Sequence, residues 1–418
     1  MQIVEAGKRT GTVKAISSKS HVHRLLICAA LSKENTVIKD VTFSKDILAT
    51  INCLNGFLAD IRTVNNDVYI FPYDNPREGK KLDLCESGST YRFLVPVVCA
   101  LETNAFFIGA DRLKERPLSP LYELLIEHGA SLSEKGIFPL ECEGKIGAGE
   151  YTISGEVSSQ FISGLIFALP LLDGDSVINV TGKMESYPYI KMTLDAVKTF
   201  GIEVVEKNNK FFIRGNQKYV SPKEIIAEGD WSNSAFFACM GAVSESGVTI
   251  KNLNNNSIQG DKKIIDILSK MGAEITCKND SVTVKKNKLT GIKIDAAQIP
   301  DLVPVLATIS TVAKGKTVIY NAERLRIKES DRIQSIYSML KNLDADVQKT
   351  DDGFIIHGKE NLKGGTIKSE NDHRIVMSAA VASCISTNPV IIEGENAVAK
   401  SYPHFFEDFN TLEMEKKL

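Results

Sequence analysis

Short β-branched runs return along the chain at a nearly constant interval: "TVIK" from Thr36, "AFFI" from Ala105, "SVIN" from Ser176, "GVTI" from Gly247, "TVIY" from Thr317 and "PVII" from Pro389. Their starts lie 69, 71, 71, 70 and 72 residues apart. Runs of this length and composition predict strands. A second marker keeps the same period, an amphipathic run that closes on a glycine before another apolar alternation. It reads "HGASLS" at Gly129, "FGIEVV" at Gly201 and "MGAEIT" at Gly272, with Asp344 in the glycine position of "LDADVQ" and a weaker copy, "FLADIR", from Phe57. Glycine just past the last periodic residue is a helix stop. Ahead of each strand runs an apolar helix that opens on Ser, Asp, Asn or Gly: "SSKSHVHR" (17–24), "ESGSTYR" (86–92), "EVSSQF" (156–161), "EGDWSNS" (228–234), "QIPDLV" (298–303) and "ENDHRI" (370–375). Each unit reads polar start, apolar helix, strand, loop, amphipathic helix, strand.

Six such units are an internal repeat. The 418 residues exceed the size at which one hydrophobic core stops growing, so two α/β (α+β) domains of three units are expected, with a crossover near "IAEGDW" (226–231). The sixth unit has its helix, "YPHFFEDFNTLEMEKK", but the chain runs out before a closing strand. The N-terminal "MQIVEA" is a spare strand able to complete it. Residues 1–15 therefore join 229–418 in a C-terminal domain, and 16–228 form an N-terminal one. A solenoid has the same kind of period, but the few units and the circular closure favour two compact domains.

Composition narrows the classes. A formal net charge of −2 gives no global pull toward nucleic acid or anionic membrane. The eight cysteines fall without CxxC or Cys/His spacing, so they read as buried thiols of a reducing compartment, with neither disulfides nor metal ligands. The longest apolar run, "ISGLIFALPLL" (162–172), falls short of the roughly 20 residues of a membrane span. The N-terminus lacks a signal-peptide pattern. A cytoplasmic protein without cofactor or metal is expected.

Any anion site must then be local, and the helix starts supply one. Capping explains their Ser and Asp residues. It does not explain Lys19, Arg24, Arg92 and Arg374, because cations are disfavoured at the positive end of a helix dipole. Basic side chains gathered at helix N-termini point to bound anions. Basic loops follow the central strands: "DRLKERP" (Arg112, Lys114, Arg116), "ERLRIKESDR" (323–332) and "ENAVAKSYP" (Lys400). In the second of these a helix is expected from near Ser330, with Ile333, Ile336, Tyr337 and Leu340 on one face. Were the whole stretch helical, Arg324, Lys328 and Arg332 would form one repelling stripe. Glu323, Arg326 and Asp331 read as solvated charges.

At these residues the chain resembles the 5-enolpyruvylshikimate-3-phosphate synthase family of enolpyruvyl transferases. "SKSHVHR", "SGSTYR", "RLKERP", "VSSQF", "ESYPYI", "EGDWS", "RIKESDR", "NDHR" and "AKSYPHFFE" carry the resemblance, collinear from Lys19 to Lys400. It implies two domains of three βαβαββ units, with helix N-termini converging on an interdomain cleft. It implies transfer of the enolpyruvyl group of phosphoenolpyruvate to the 5-hydroxyl of shikimate 3-phosphate, without a metal or cofactor. That chemistry needs several fixed cations and two carboxylates of opposite role. On the matching positions, Ser20, Arg24, Ser158, Ser159, Gln160, Ser186, Arg324 and Lys328 are implied for shikimate 3-phosphate, with Arg324 the least matched to the family pattern. Lys19 lies between both substrates and Gln160 serves both. Gly88, Arg112 and Lys400 are implied for phosphoenolpyruvate, and Arg332 and Arg374 for its carboxylate. Asp301 is implied as acceptor of the 5-hydroxyl proton and Glu329 as the acid at the methylene carbon. Their plain readings are a cap for "LVPVLATIS" and a loop charge paired with Arg332. Arg116 reads as a loop brace and His373 as a helix-start hydrogen bonder.

The chain departs from the family pattern at "AISSKS", at Glu86, and at Ser89 and Tyr91. Among rivals, a UDP-N-acetylglucosamine enolpyruvyl transferase calls for Lys-Asn and a loop cysteine; here Lys19 precedes Ser20 and "RLKERP" has no cysteine. An RNA-end-processing relative would need aromatic stacking platforms or a basic surface, and a silent paralogue would lack the charged set. The expected partners are the two small-molecule substrates, bound by a monomer, with no nucleic acid and no membrane.

Overall fold

The computed structural model describes residues 1–415. The chain divides into two compact units, one of residues 1–18 with 228–418 and one of residues 19–227. Each has its own core.

The repeat is visible as a repeated sheet. In the second repeat Lys80–Asp83 runs parallel beside Ala105–Ile108, which pairs antiparallel with Leu140–Glu143, and Ser131–Leu132 closes the edge. Glu150–Ser154, Ser176–Thr181, Lys210–Ile213 and Val204–Lys207 repeat that order. So do Lys293–Asp295, Lys316–Tyr320, Phe354–His357 and Asp346–Lys349. The six β-branched runs are the six central strands. They pair on both sides, which is why they read as continuous apolar or β-branched stretches.

The first and fourth repeats have exchanged strands. Arg9–Lys14 precedes the helix Lys19–Leu31 but lies parallel beside Val248–Lys251, the fourth repeat's central strand. Glu224–Ile226 precedes the helix Trp231–Gly241 but lies beside Thr36–Lys39 of the first. The N-terminal strand Gln2–Val4 pairs antiparallel with Val390–Glu393 of the sixth repeat.

Six helices precede the central strands: Lys19–Leu31, Gly88–Ala100, Ser159–Ala168, Trp231–Gly241, Val303–Ser310 and His373–Ser383. They are buried almost all round, as continuous apolarity requires. Ser87, Ser158, Asp230 and Asp372 cap four of them through side-chain oxygens. The stop residues hold left-handed backbone, Gly129, Gly201 and Gly272 at φ 111°, 79° and 110°, and Asp344 at φ 69°. Glycine meets no Cβ penalty there, and aspartate is among the few side chains that tolerate it. Among the described residues no helix is long and apolar enough to cross a membrane.

One expected element differs. The last helix is Phe405–Thr411, and Glu413–Met414 is a strand pairing with Arg9 and Thr10. Leu412 is buried in the core, so the chain turns extended to seat it. The remainder of the predicted helix, residues 416–417, lies outside the described residues.

Candidate functional site

In the unit of residues 19–227 the expected residues stand at helix starts. Lys19 is the first residue of its helix, and its ammonium pairs with Asp46 at 2.7 Å. One turn on, Arg24 is buried and donates to Thr193 Oγ1 (2.8 Å), the Ser20 carbonyl (2.6 Å) and the Tyr189 carbonyl (2.9 Å). Burial pulls its pKa down to about 10, so it is a full cation at neutral pH. Ser158 caps the helix Ser159–Ala168 by accepting from the Gln160 N–H. Ser159 is buried at the first position of that helix. Gln160 accepts from Arg92 Nη1 at 2.7 Å and donates to Ser89 at 2.8 Å. Ser186 precedes the helix Tyr187–Thr199 at φ 54°. A serine held there carries backbone strain of about 1 kcal/mol or more, a cost that clusters at functional positions.

Gly88 has a reason of its own. A Cβ at this position would lie 2.6 Å from Arg116 Nη1 and 2.7 Å from its guanidinium carbon. The Arg116 guanidinium therefore lies across the helix start, and any side chain at position 88 would have to displace it. The Arg112 side chain, by contrast, is half-exposed and pairs with Glu115 at 2.8 Å.

The other unit holds a dense ionic cluster. Asp301 sits in the 3-10 turn Pro300–Leu302, ahead of the helix Val303–Ser310. Its carboxylate faces Arg332 Nη1 at 2.8 Å, Arg374 Nη2 at 3.1 Å and Lys328 Nζ at 3.8 Å. Asp301 is thus a charge surrounded by cations. Burial opposes its ionisation, but Arg374, Lys328 and Arg332 outweigh it and hold its pKa well below the ordinary range. The Lys328 pKa is lowered as well, brought down to about 8 by burial against the pull of Asp301.

Arg332 is 1% exposed and touches three carboxylates. Nε donates to Asp372 at 2.7 Å, Nη1 to Asp301 at 2.8 Å, and Nη2 to Glu329 at 2.7 Å. Burial alone would lower its pKa, yet Asp372, Glu329 and Asp301 raise it above the usual arginine value. The stretch 323–332 is not one helix. A 3-10 turn runs over Glu323–Ile327, Lys328 is extended, and the helix begins at Arg332 behind the cap Asp331. That break separates Arg324, Lys328 and Arg332, so the repelling stripe never forms. Arg324 remains half-buried on the turn. Asp331 accepts from the Gln334 N–H and pairs with Arg326 at 3.4 Å, local work in keeping with a solvated charge.

Arg374 donates to the Asp301 carbonyl at 3.0 Å and to Ser232 at 2.8 Å. Lys400 is buried and donates to the Asn371 carbonyl at 2.7 Å, next to Asp372. Sequence reasoning missed Asp372, Asp46 and Ser232, which orient Arg332, Lys19 and Arg374. Asp372 was legible only as a helix cap, and its second use depends on a residue 40 positions earlier. Among the described residues no group of His, Cys, Asp and Glu has a metal-binding arrangement.

The chain as a whole has relatives among known proteins. The family model "EPSP synthase (3-phosphoshikimate 1-carboxyvinyltransferase)" matches residues 4–409. The chain is 45% identical over 410 residues to a 3-phosphoshikimate 1-carboxyvinyltransferase of Clostridium kluyveri, covering 97% of this chain and 95% of that protein. It is 43% identical over 414 residues to the protein of that name from Clostridium novyi, covering 96% and 95%. A solved EPSP synthase from Acinetobacter baumannii superposes with a TM-score of 0.83 at 26% identity, covering 99% of both chains. The two-unit, six-repeat architecture is therefore the EPSP synthase fold, and the chain belongs to the EPSP synthase family.

Proposed function

We infer that this chain is an enzyme that transfers the enolpyruvyl group of phosphoenolpyruvate to the 5-hydroxyl of shikimate 3-phosphate, releasing phosphate. The observation that carries the reading is the Asp301–Arg332–Glu329 arrangement, two carboxylates on one buried guanidinium with Arg374 and Lys328 beside them. Addition of an alcohol across an enol double bond requires a base at the hydroxyl, an acid at the methylene carbon and cations for the substrate anions. We assign the base to Asp301 and the acid to Glu329.

The cations that keep Asp301 ionised are those assigned to the carboxylate of phosphoenolpyruvate, Arg332 and Arg374. Arginine suits that task because its planar donors match a carboxylate bidentately. A substrate carboxylate that draws them away raises the proton affinity of Asp301 and makes it a better base. Lys19 is assigned to both substrates and Lys328 to shikimate 3-phosphate. Ser20, Arg24, Ser158, Ser159, Gln160, Ser186 and Arg324 are assigned to shikimate 3-phosphate, and Gly88, Gln160, Arg112 and Lys400 to phosphoenolpyruvate. The two compact units are taken as the two domains of the fold, and a cytoplasmic monomer as the working form, which light scattering with and without substrates tests.

The deciding experiment is phosphate release from phosphoenolpyruvate with shikimate 3-phosphate or UDP-N-acetylglucosamine as acceptor. Release with shikimate 3-phosphate is expected. Release with the nucleotide sugar alone would overturn the assignment.

A further inference from the structure

His23 lies on the helix Lys19–Leu31 one turn after Lys19, and the two face the helix Lys45–Leu54 together. Lys19 pairs with Asp46 at 2.7 Å, and His23 Nδ1 meets Thr50 Oγ1 at 2.7 Å. Each helix thus presents an i, i+4 pair to the other. The contact continues. Thr50 Oγ1 lies 2.6 Å from Thr90 Oγ1, which lies 2.6 Å from Ser87 Oγ. Ser87 is the cap of the helix Gly88–Ala100 and accepts from the Thr90 N–H. His23, Thr50, Thr90 and Ser87 are each at most 1% exposed.

We propose that these four side chains form one buried hydrogen-bond chain that positions the helix starts at Lys19 and Gly88 for phosphoenolpyruvate. His23, Thr50 and Thr90 are positioning residues, acting through Asp46, Ser87 and the helices that carry them. The proposal rests on the functional reading above for its substrate, and on geometry alone for the chain.

The chain has a direction. His23 Nε2 is buried and has no hydrogen-bond partner among the described residues. Burial, with Lys19 and Arg24 nearby, holds the imidazole pKa well below its ordinary value, so the ring is neutral. If Nε2 carried the proton, a buried N–H donor would be orphaned; if Nδ1 carries it, only a lone pair is. Orphaned donors are the rarer and costlier case. Nδ1–H therefore donates to Thr50, whose own proton has two acceptors in reach, Thr90 Oγ1 at 2.6 Å and the Asp46 carbonyl at 3.3 Å. The shorter contact takes it, and Thr90 donates to Ser87, so that Ser87 accepts from both the Thr90 hydroxyl and the Thr90 N–H. A cap held from two sides fixes where the helix begins, and the first residue of that helix is Gly88.

The test uses the full-length protein. Long-range proton–nitrogen NMR on the nitrogen-15-labelled chain, with His23 identified by its loss in His23→Gln, should show the Nδ1–H tautomer, and the Nε2–H tautomer would overturn the direction. Thr90→Val keeps the shape and breaks the chain. It is expected to raise KM for phosphoenolpyruvate roughly five- to thirty-fold, the effect of losing one buried partner, with KM for shikimate 3-phosphate within about two-fold. Thr90→Ser, which keeps the hydroxyl, should restore the wild-type value, and Thr50→Val serves where Thr90→Val does not fold. A wild-type KM in the valine variant, an equal rise for both substrates, or no rescue by serine would overturn the positioning role. If the wild-type chain turns over neither acceptor, the functional reading fails, and the tautomer with its change in Thr50→Val still decides the chain.

Discussion

Arg332→Met removes the charge at the centre of the ionic cluster while keeping a long side chain. The wild-type guanidinium is 1% exposed and Asp372, which it meets at 2.7 Å, is fully buried. Removing one member of a buried pair leaves the other uncompensated and costs about 3–5 kcal/mol. The lower end applies here, because the carboxylates keep other partners. Asp372 retains Ser330 at 3.2 Å and the Arg374 N–H at 2.9 Å, and Asp301 retains Arg374 at 3.1 Å. The chain's single tryptophan, Trp231, is 1% exposed and belongs to the same unit. Its emission during urea unfolding therefore reports the unit that was perturbed. A loss of about 3 kcal/mol corresponds to a midpoint shift of roughly 1 M urea or more, for a slope of about 1–3 kcal/mol per molar.

The pH dependence has a definite sign. Asp301 has a folded pKa well below its ordinary value. Its ion pairs therefore contribute fully above the unfolded pKa of about 4, and that contribution is lost as pH falls through the folded pKa. The gap between wild type and Arg332→Met should be full at pH 7 and narrow below about pH 4. A midpoint at pH 7 within about 0.3 M of wild type, or a gap that widens on acidification, would show that Arg332 is not the counter-charge of this cluster.

Three further outcomes follow from the same geometry. Glu329→Gln keeps an oxygen for Arg332 but has no proton to give, so turnover should fall about 10²- to 10⁴-fold while calorimetry still shows both substrates binding; near-normal turnover would return Glu329 to the rank of loop charge. Lys328, with its pKa brought to about 8 by burial, should lose its charge as pH rises through that value, so kcat/KM for the acceptor should fall above about pH 8; a profile with the same limb in Lys328→Arg would assign it to another group. Gly88→Ala places a methyl within 2.6 Å of Arg116 Nη1, and because that end of the side chain is flexible the expected result is a raised KM for phosphoenolpyruvate with stability altered by less than about 1 kcal/mol; an unchanged KM would detach Gly88 from the substrate.

The repeat was legible because it is written in local chemistry. A central strand must be β-branched and a helix stop must tolerate left-handed backbone, so both leave a mark every 70 residues or so. Even the exception at Asp344 was readable, since aspartate adopts φ 69° at modest cost. The partners of the charged residues were not legible in the same way. Asp46 is 27 positions from Lys19, and Ser232 is 142 from Arg374. Nothing local distinguishes a serine that holds an arginine from one that caps a helix.

The exchanged strands mark the boundary between those two kinds of information. Every repeat needs a strand parallel to its centre, and in the second, third, fifth and sixth that strand immediately precedes the helix. In the first it arrives from the far end of the same unit, as Glu224–Ile226, and in the fourth from the N-terminal segment, as Arg9–Lys14. The period predicts that such a strand exists and is silent about which one is used, because Arg9–Lys14 and Glu224–Ile226 are both short and marginally apolar. What selects between them is closure. By taking Arg9–Lys14 the unit of residues 228–418 also gains Gln2–Val4, which pairs antiparallel with Val390–Glu393. The two N-terminal strands thus enter one unit together, and the first helix, with Lys19 at its start, follows a strand that belongs to the unit holding Asp301.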